Sequence, residues 1–294
     1  MEIFGVPSPA FFGQLLLGLI NGSFYAVLSL GLAVIFGLLN IINFAHGAQY
    51  MLGAFAALLG LNWLGINYWL ALLLAPAVVG AIAVLIERTM LRHLYQLDHL
   101  YGLLLTFGLA LIAEGTFKNL FGVSGESYEA PEILQGGVNL GFMFLPLYRG
   151  WVVVAALSLC ALVWYVVERT SLGATLRAAT QRPDLVQALG INVPLLVTAT
   201  YAAGAALAAF AGVLAAPILQ VNPVMGSNLI IVVFAVVVIG GMGSILGSII
   251  TGVGLGVIEG LTRVFYPEAS AVVIFLIMVL VLLVKPAGLF GKQA

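Results

Sequence analysis

Hydrophobic positions along this chain fall in long runs, not in alternation. Apolar stretches at 11–39, 67–86, 100–122, 151–167, 194–217 and 269–284 are each bounded by polar or charged residues. About 20 apolar residues suffice for a helix to cross a bilayer. The pattern predicts an all-α polytopic membrane protein with about eight to ten transmembrane segments. The count turns on two short apolar runs, 50–61 and 229–239, which are either full crossings or half-helices. Residues 1–10 carry Pro7 and Pro9 and read as an exposed tail of poor helical character. The acidic stretch 123–148 reads as an external loop, and 260–268 as a short loop before the last span.

Both short runs adjoin a polar or glycine-rich interruption. The first is Asn40-Ile41-Ile42-Asn43-Phe44-Ala45-His46-Gly47-Ala48-Gln49, and the second is Gly240-Gly241-Met242-Gly243-Ser244. An interrupted span points to the central site of a transporter. Asn and Gln side chains there can satisfy backbone groups freed by the break, and glycine allows close backbone approach. A short cytoplasmic turn between two spans would read much like the first interruption. Each break follows an apolar run and precedes a Gly-rich one, so we expect two interrupted helices related by internal duplication, facing each other across a pathway. The pathway candidates are Asn40, Asn43, His46, Gly47, Gln49, Gly240, Gly241, Gly243 and Ser244. His46 reads as a structural donor ahead of a proton relay.

The longest polar, basic segment between apolar runs is 168–193. Arg169, Arg177 and Arg182 stand there against Glu168 and Asp184. Pro183 suits a first helical turn, and Leu185, Ala188 and Leu189 then fall on one helical face. Gly190 follows as a C-terminal cap, and Gly173, Ala174, Ala178 and Ala179 precede the helix. A short helix with an apolar stripe and flanking arginines is shaped to lie at the membrane surface and dock on a partner. An ordinary basic cytoplasmic loop would carry the same arginines. Placing 87–99, 168–193 and the C-terminus inside gathers Arg88, Arg92, Arg169, Arg177, Arg182, Lys285 and Lys292 on one side, as the positive-inside rule requires. The chain is then a single transmembrane domain over 1–294: a first part 11–167, the cytoplasmic segment 168–193, and a second part 194–294.

Composition narrows the function. Hydrophobic residues make up 63% and charged residues 7%, where a soluble domain carries about 25% charged. A net charge of −1 leaves no nucleic-acid footprint. The lone Cys160 forms no internal disulfide and builds no metal site. Met1-Glu2 opens acidic, so the first span reads as retained. Glu114 and Lys118, four apart, read as an ion pair near the outer end of a span. Glu87 with Arg88, and Arg92 with Asp98, read as solvated face charges. No Walker, HExxH, CxxC or GxSxG spacing occurs, so the chain reads as a transport subunit, not an enzyme, and needs no cofactor of its own. No span carries a ladder of ionisable residues as ion-coupled carriers often do. Energy for uphill transport would then enter through a partner.

Four stretches carry a resemblance: GLLNIINFAHGAQYMLGAF (37–55), SLGATLRAA (171–179), ALGIN (188–192) and GGMGSILGSIITGVGLGVIE (240–259). Together, and in this order, they resemble the membrane permease of branched-chain amino acid ABC importers, most of all the shorter of that family's two permease subunits. The resemblance implies a second, related permease subunit and two cytoplasmic ATP-binding-cassette ATPases. It also implies a periplasmic or lipid-anchored solute-binding protein, and a place in the bacterial or archaeal cell (inner) membrane. It maps the ATPase-coupling segment onto Gly173, Arg177, Ala178, Gly190, Ile191 and Asn192, with Leu185 and Leu189 on the docking face. Thr180-Gln181-Arg182-Pro183 departs from the acidic or amide-rich turn usual there. It further implies alternating access for branched-chain or other hydrophobic amino acids, with Asn40, Asn43, Gln49 and Ser244 offering amide and hydroxyl groups to a zwitterion. Relatives that move urea, short amides or other amino acids use the same machinery. A stand-alone facilitator for a small neutral solute is a second reading, and an ion-coupled carrier using Glu114, Glu259 or His46 is a third.

Overall fold

A computed structural model describes residues 2–3, 5–39 and 42–291. Asn40 and Lys292, both singled out above, lie outside the described residues. A small hairpin of β1 (Glu2–Ile3) and β2 (Val6–Pro7) leads into α1 (Ser8–Leu39), one helix of 32 residues. Then come α2 (Ala45–Leu64), α3 (Tyr68–Thr89), a 3-10 turn at Leu91–Leu94 and α4 (His99–Phe121). The acidic loop holds a second hairpin, β3 (Gly137–Asn139) with β4 (Phe144–Pro146). The chain continues with α5 (Leu147–Arg169), α6 (Ser171–Gln181), α7 (Pro183–Ala188), α8 (Val193–Ala215), α9 (Met225–Gly240), α10 (Ile245–Phe265) and α11 (Val273–Val284).

Three boundaries differ from the sequence expectation, each for a local reason. The tail is already helical from Ser8, because Pro9 falls in the first turn where no N–H is needed. The run at 50–61 is part of a 20-residue helix, since α2 starts at Ala45 and absorbs His46, Gly47 and Gln49. The expected loop 260–268 is helical as far as Phe265. Other helix ends follow residue chemistry. Asn67, Asp98, Asn192 and Ser244 cap the starts of α3, α4, α8 and α10 by accepting a backbone N–H. Gly65 closes α2 at φ 64°, where a side chain would be strained.

Among the described residues six helices are long and apolar enough to cross a membrane: Ser8–Gly37, Tyr68–Thr89, His99–Phe121, Leu147–Arg169, Val193–Ala215 and Ile245–Phe265. The expected range of eight to ten crossings is entered when two of α2, α9 and α11 cross too, and all three together make nine. Large apolar side chains such as Leu73, Leu104, Ile112, Leu162 and Leu280 are exposed, as they are on helices bathed in lipid.

The chain gathers into two compact units. One takes Met1–Ser29, Ala130–Cys160 and Val232–Ala294; the other takes Leu30–Glu129 and Ala161–Ile231. In the first unit α1 packs on α10 along glycines, and a Cβ at Gly22 would lie 2.8 Å from the Val253 carbonyl oxygen. In the second, α8 packs on α2 and α3. A Cβ at Gly53 would run into the Ala209 backbone, and one at Gly212 into the Tyr50 carbonyl. Small residues let backbones approach this closely, which is how membrane helices gain contact without a hydrophobic driving force.

Candidate functional site

The first break and the start of α2 belong to the second unit. Ile42, Asn43 and Phe44 are not helical, and α4 supplies the missing backbone partner. The buried Thr106 hydroxyl accepts the Phe44 N–H at 3.2 Å and lies 3.3 Å from the Ile42 carbonyl oxygen. Asn43 Nδ2 donates to Gln49 Oε1 at 3.4 Å, and Gln49 Nε2 donates to the Tyr201 hydroxyl at 3.3 Å. Asn43, His46, Gln49 and Tyr201 are all buried, and two of the named candidates, Asn43 and Gln49, meet Tyr201 in one polar strand through a low-dielectric interior. Asn43 Oδ1 is buried with no hydrogen-bond partner among the described residues, the kind of acceptor that ordinarily holds a water or a ligand. His46 lies against the Gly31 backbone, where a Cβ would come 2.9 Å from its Cε1.

Gly47 faces Gly226, and both line a small cavity with Phe44, Phe107, Glu114 and Ser227. Its volume is about 60 Å³, whereas ligand pockets run to roughly 300–1,000 Å³. The cavity is thus smaller than an ordinary ligand pocket. Glu114, on its wall, pairs with Lys118 at 2.6 Å, the i,i+4 pair expected from the sequence.

The second break belongs to the first unit. Gly241 and Gly243 take φ 101° and 81°, conformations that glycine alone adopts cheaply. Ser244 caps α10, and Gly240 packs directly on Gly247. The carbonyls freed at the end of α9 are taken by the C-terminal tail. Leu289 N–H donates to Ile239 O at 2.8 Å, and Phe290 N–H to Gly240 O at 3.1 Å. Gly240 and Gly241 are therefore brought together with residues 287–291, a neighbour that the sequence did not indicate.

The segment after α5 is two helices, where the sequence pattern marked only the second. Gly173 lets α6 fold tightly back on α5, since a Cβ there would strike the Val167 carbonyl. Arg177 donates to the same Val167 carbonyl at 2.6 Å and lies 3.5 Å from Glu168 Oε2. Both residues thus hold the elbow, and Ala178 beside them is exposed. Ala179 and Val186 turn inward on Val193 at the start of α8. Leu185 and Leu189 turn outward, 58% and 79% exposed. Gly190, at φ 84°, donates its N–H to the Gln187 carbonyl and ends α7 as expected.

Glu87 departs from its expectation as a solvated charge. It is only 2% exposed at the end of α3. The Tyr95 hydroxyl donates to its Oε1 at 2.9 Å, and the Thr198 hydroxyl to its Oε2 at 2.6 Å. Burial, and then the Glu87 carboxylate beside it, push the Tyr95 phenol well above its ordinary pKa, so it remains a donor. Asp98, likewise read as part of a charged face, caps α4. No sequence signal joins Glu87 to Thr198, which stands 111 residues away.

The sequence model of a family described as "Branched-chain amino acid transport system / permease component" matches residues 14–282. The chain is similar to the high-affinity branched-chain amino acid transport system permease protein LivH of Escherichia coli (strain K12), 30% identical over 96% of each chain. It is 32% identical, over 95% of each chain, to the corresponding protein BraD of Pseudomonas aeruginosa. The permease protein LivM of Salmonella typhimurium is 28% identical over 90% of this chain and 67% of its own length. No solved structure gives a significant match.

Proposed function

The chain belongs to the family of permease components of branched-chain amino acid transport systems, and we propose that it is a membrane subunit of an ATP-binding-cassette importer moving branched-chain or other hydrophobic amino acids inward. Two separate ATPase subunits dock on α6–α7 at the cytoplasmic face. A second permease subunit completes the pathway, and similarity to both LivH and LivM supports a related but different partner. A solute-binding protein outside the membrane delivers the amino acid and sets the choice of solute.

The observation that carries this reading is α7. It is a short helix held between two spans, with Leu185 and Leu189 exposed to the outside of the fold. Two large exposed apolar side chains beside the exposed Arg182 and Asp184 support docking of a partner on this segment. Transport runs by alternating access, as the resemblance to this importer family implies. The Asn43–Gln49–Tyr201 strand supplies neutral donors and acceptors that suit a zwitterion passing through a site of low dielectric. An ion-coupled carrier is less well supported, because Glu114 and Glu259 are each paired with a cation four residues on.

Uptake of labelled leucine into vesicles tests the reading. The vesicles hold this chain, the second permease and the ATPases, with the binding protein on the outside. Uptake that needs ATP and every partner is expected. Leucine or urea equilibrating through this chain alone would instead make it a facilitator.

A further inference from the structure

Glu87 is a carboxylate that ATPase docking and the pathway leave without a task. Its oxygens are held by two neutral hydroxyls from two different places, Tyr95 after the 3-10 turn and Thr198 on α8. Among the described residues no cation pairs with it, although Arg88 is its neighbour and Arg92 lines the same cleft. Taking a carboxylate out of water is costly, and an apolar side chain of the same size would hold the fold at least as well. Hydroxyl-to-carboxylate bonds are short and strong, yet a hydroxyl turns about one bond to release its partner.

The surroundings say what the bonds connect. Thr198 stands in the second turn of α8, whose first residue Val193 packs on Ala179 of α6 and Val186 of α7. On the other side, Pro183, Asp184 and Gln187 of α7 face Glu87 and Arg88 across a cleft of about 610 Å³. Helix α7 thus stands across an open cleft from α3, while the Thr198–Glu87 bond joins α8 to α3 directly.

We infer that Glu87 is a positioning residue that ties the start of α8 to the end of α3, so that displacement of α7 is passed to both spans together. The inference rests on the proposed docking of an ATPase at α7. Farther along, α3 and α8 are already held by Val79 and Ala83 against Tyr201, Ala205 and Ala209. The Glu87–Thr198 bond extends that contact to the end next to α7. With the bond in place, a push on α7 through Val186 and Val193 reaches α3 as well as α8. Without it, the start of α8 yields apart from the end of α3 and hydrolysis proceeds without carrying the solute.

The test uses the whole transporter reconstituted in vesicles, with leucine uptake and ATP hydrolysis measured on the same preparation. Thr198→Val keeps the shape and removes the donor, Tyr95→Phe removes the other donor at a half-buried position, and Thr198→Ser restores the first. Leucine moved per ATP hydrolysed is expected to fall about tenfold in Thr198→Val, to hold in Tyr95→Phe, which leaves the Thr198–Glu87 bond in place, and to recover in Thr198→Ser. A ratio unchanged in Thr198→Val overturns the inference, whether because nothing changes or because uptake and hydrolysis drop in proportion. So does a ratio that Thr198→Ser leaves low. Should Thr198→Val not assemble, Thr198→Ala, which removes the same donor with a smaller side chain, is read in its place. A wild-type assembly that hydrolyses ATP without importing leucine, or binds no ATPase, overturns the proposed function itself, an outcome read before any variant is compared.

Discussion

Replacing Gly47 by alanine adds one methyl where α2 meets the first turn of α9. The new Cβ falls 2.7 Å from the Gly226 carbonyl oxygen, 3.1 Å from its carbon and 3.2 Å from Ile230 Cβ. Ordinary contact begins near 3.4 Å, so the facing backbone must withdraw by about 0.7 Å. Two of the three atoms are backbone, and no side-chain rotation relieves them. Overpacking of this kind costs about 1–3 kcal/mol. Gly108→Ala on α4 is the matched comparison, because nothing lies within 4 Å of a Cβ there. It gains helix propensity of about 1 kcal/mol and meets no overlap. The predicted quantity is the gap between the two variants, about 2–10 °C in melting temperature for the purified chain in detergent. Leucine uptake is expected to fall in Gly47→Ala and to hold in Gly108→Ala, because the strained face also lines the cavity beside Phe44 and Glu114. A Gly47→Ala protein that melts with Gly108→Ala, or above it, would refute the reasoning.

Asn192→Ala removes the cap of α8 and is expected to cost about 1 kcal/mol, seen as a lower melting temperature that Asn192→Asp regains. Gly190→Ala forces a side chain into φ 84°, at about 1–2 kcal/mol, and is expected to speed protease cleavage within 182–193 relative to wild type. Glu114→Gln and Glu259→Gln each weaken a pair whose cation is more than a third exposed, so ATP-driven uptake is expected to persist within about threefold. Loss of uptake in either folded variant would return the ion-coupled reading.

Membrane spans were legible because a bilayer imposes one requirement on sequence, a long apolar run, and α3, α4, α5 and α8 answer it closely. The glycine break at 240–244 was legible because φ values such as those of Gly241 and Gly243 need glycine. The start of α2 was not. His46 and Gln49 look like loop residues until burial beside Tyr201 gives Gln49 a partner. Nor was α6, whose Gly173 and threonines hide a helix that only its return onto Val167 explains. The resemblance placed Gly173 and Arg177 at the coupling segment. Their contacts with Val167 add that they shape the elbow, which leaves Leu185 and Leu189 as the outward face. Glu87 was misread because a charged residue beside an arginine looks solvated. Its partners Tyr95 and Thr198 are uncharged, and one of them is remote in sequence.

The most direct measurement is capture of the ATPase subunits by detergent-solubilised chain, comparing wild type with the Leu185→Asp/Leu189→Asp double variant. Both side chains point away from the fold, so the variant should keep the wild-type elution profile and melting temperature. We expect wild type to retain the ATPases and the double variant to lose them. Equal capture by the two proteins, or none by wild type, would contradict docking at α7.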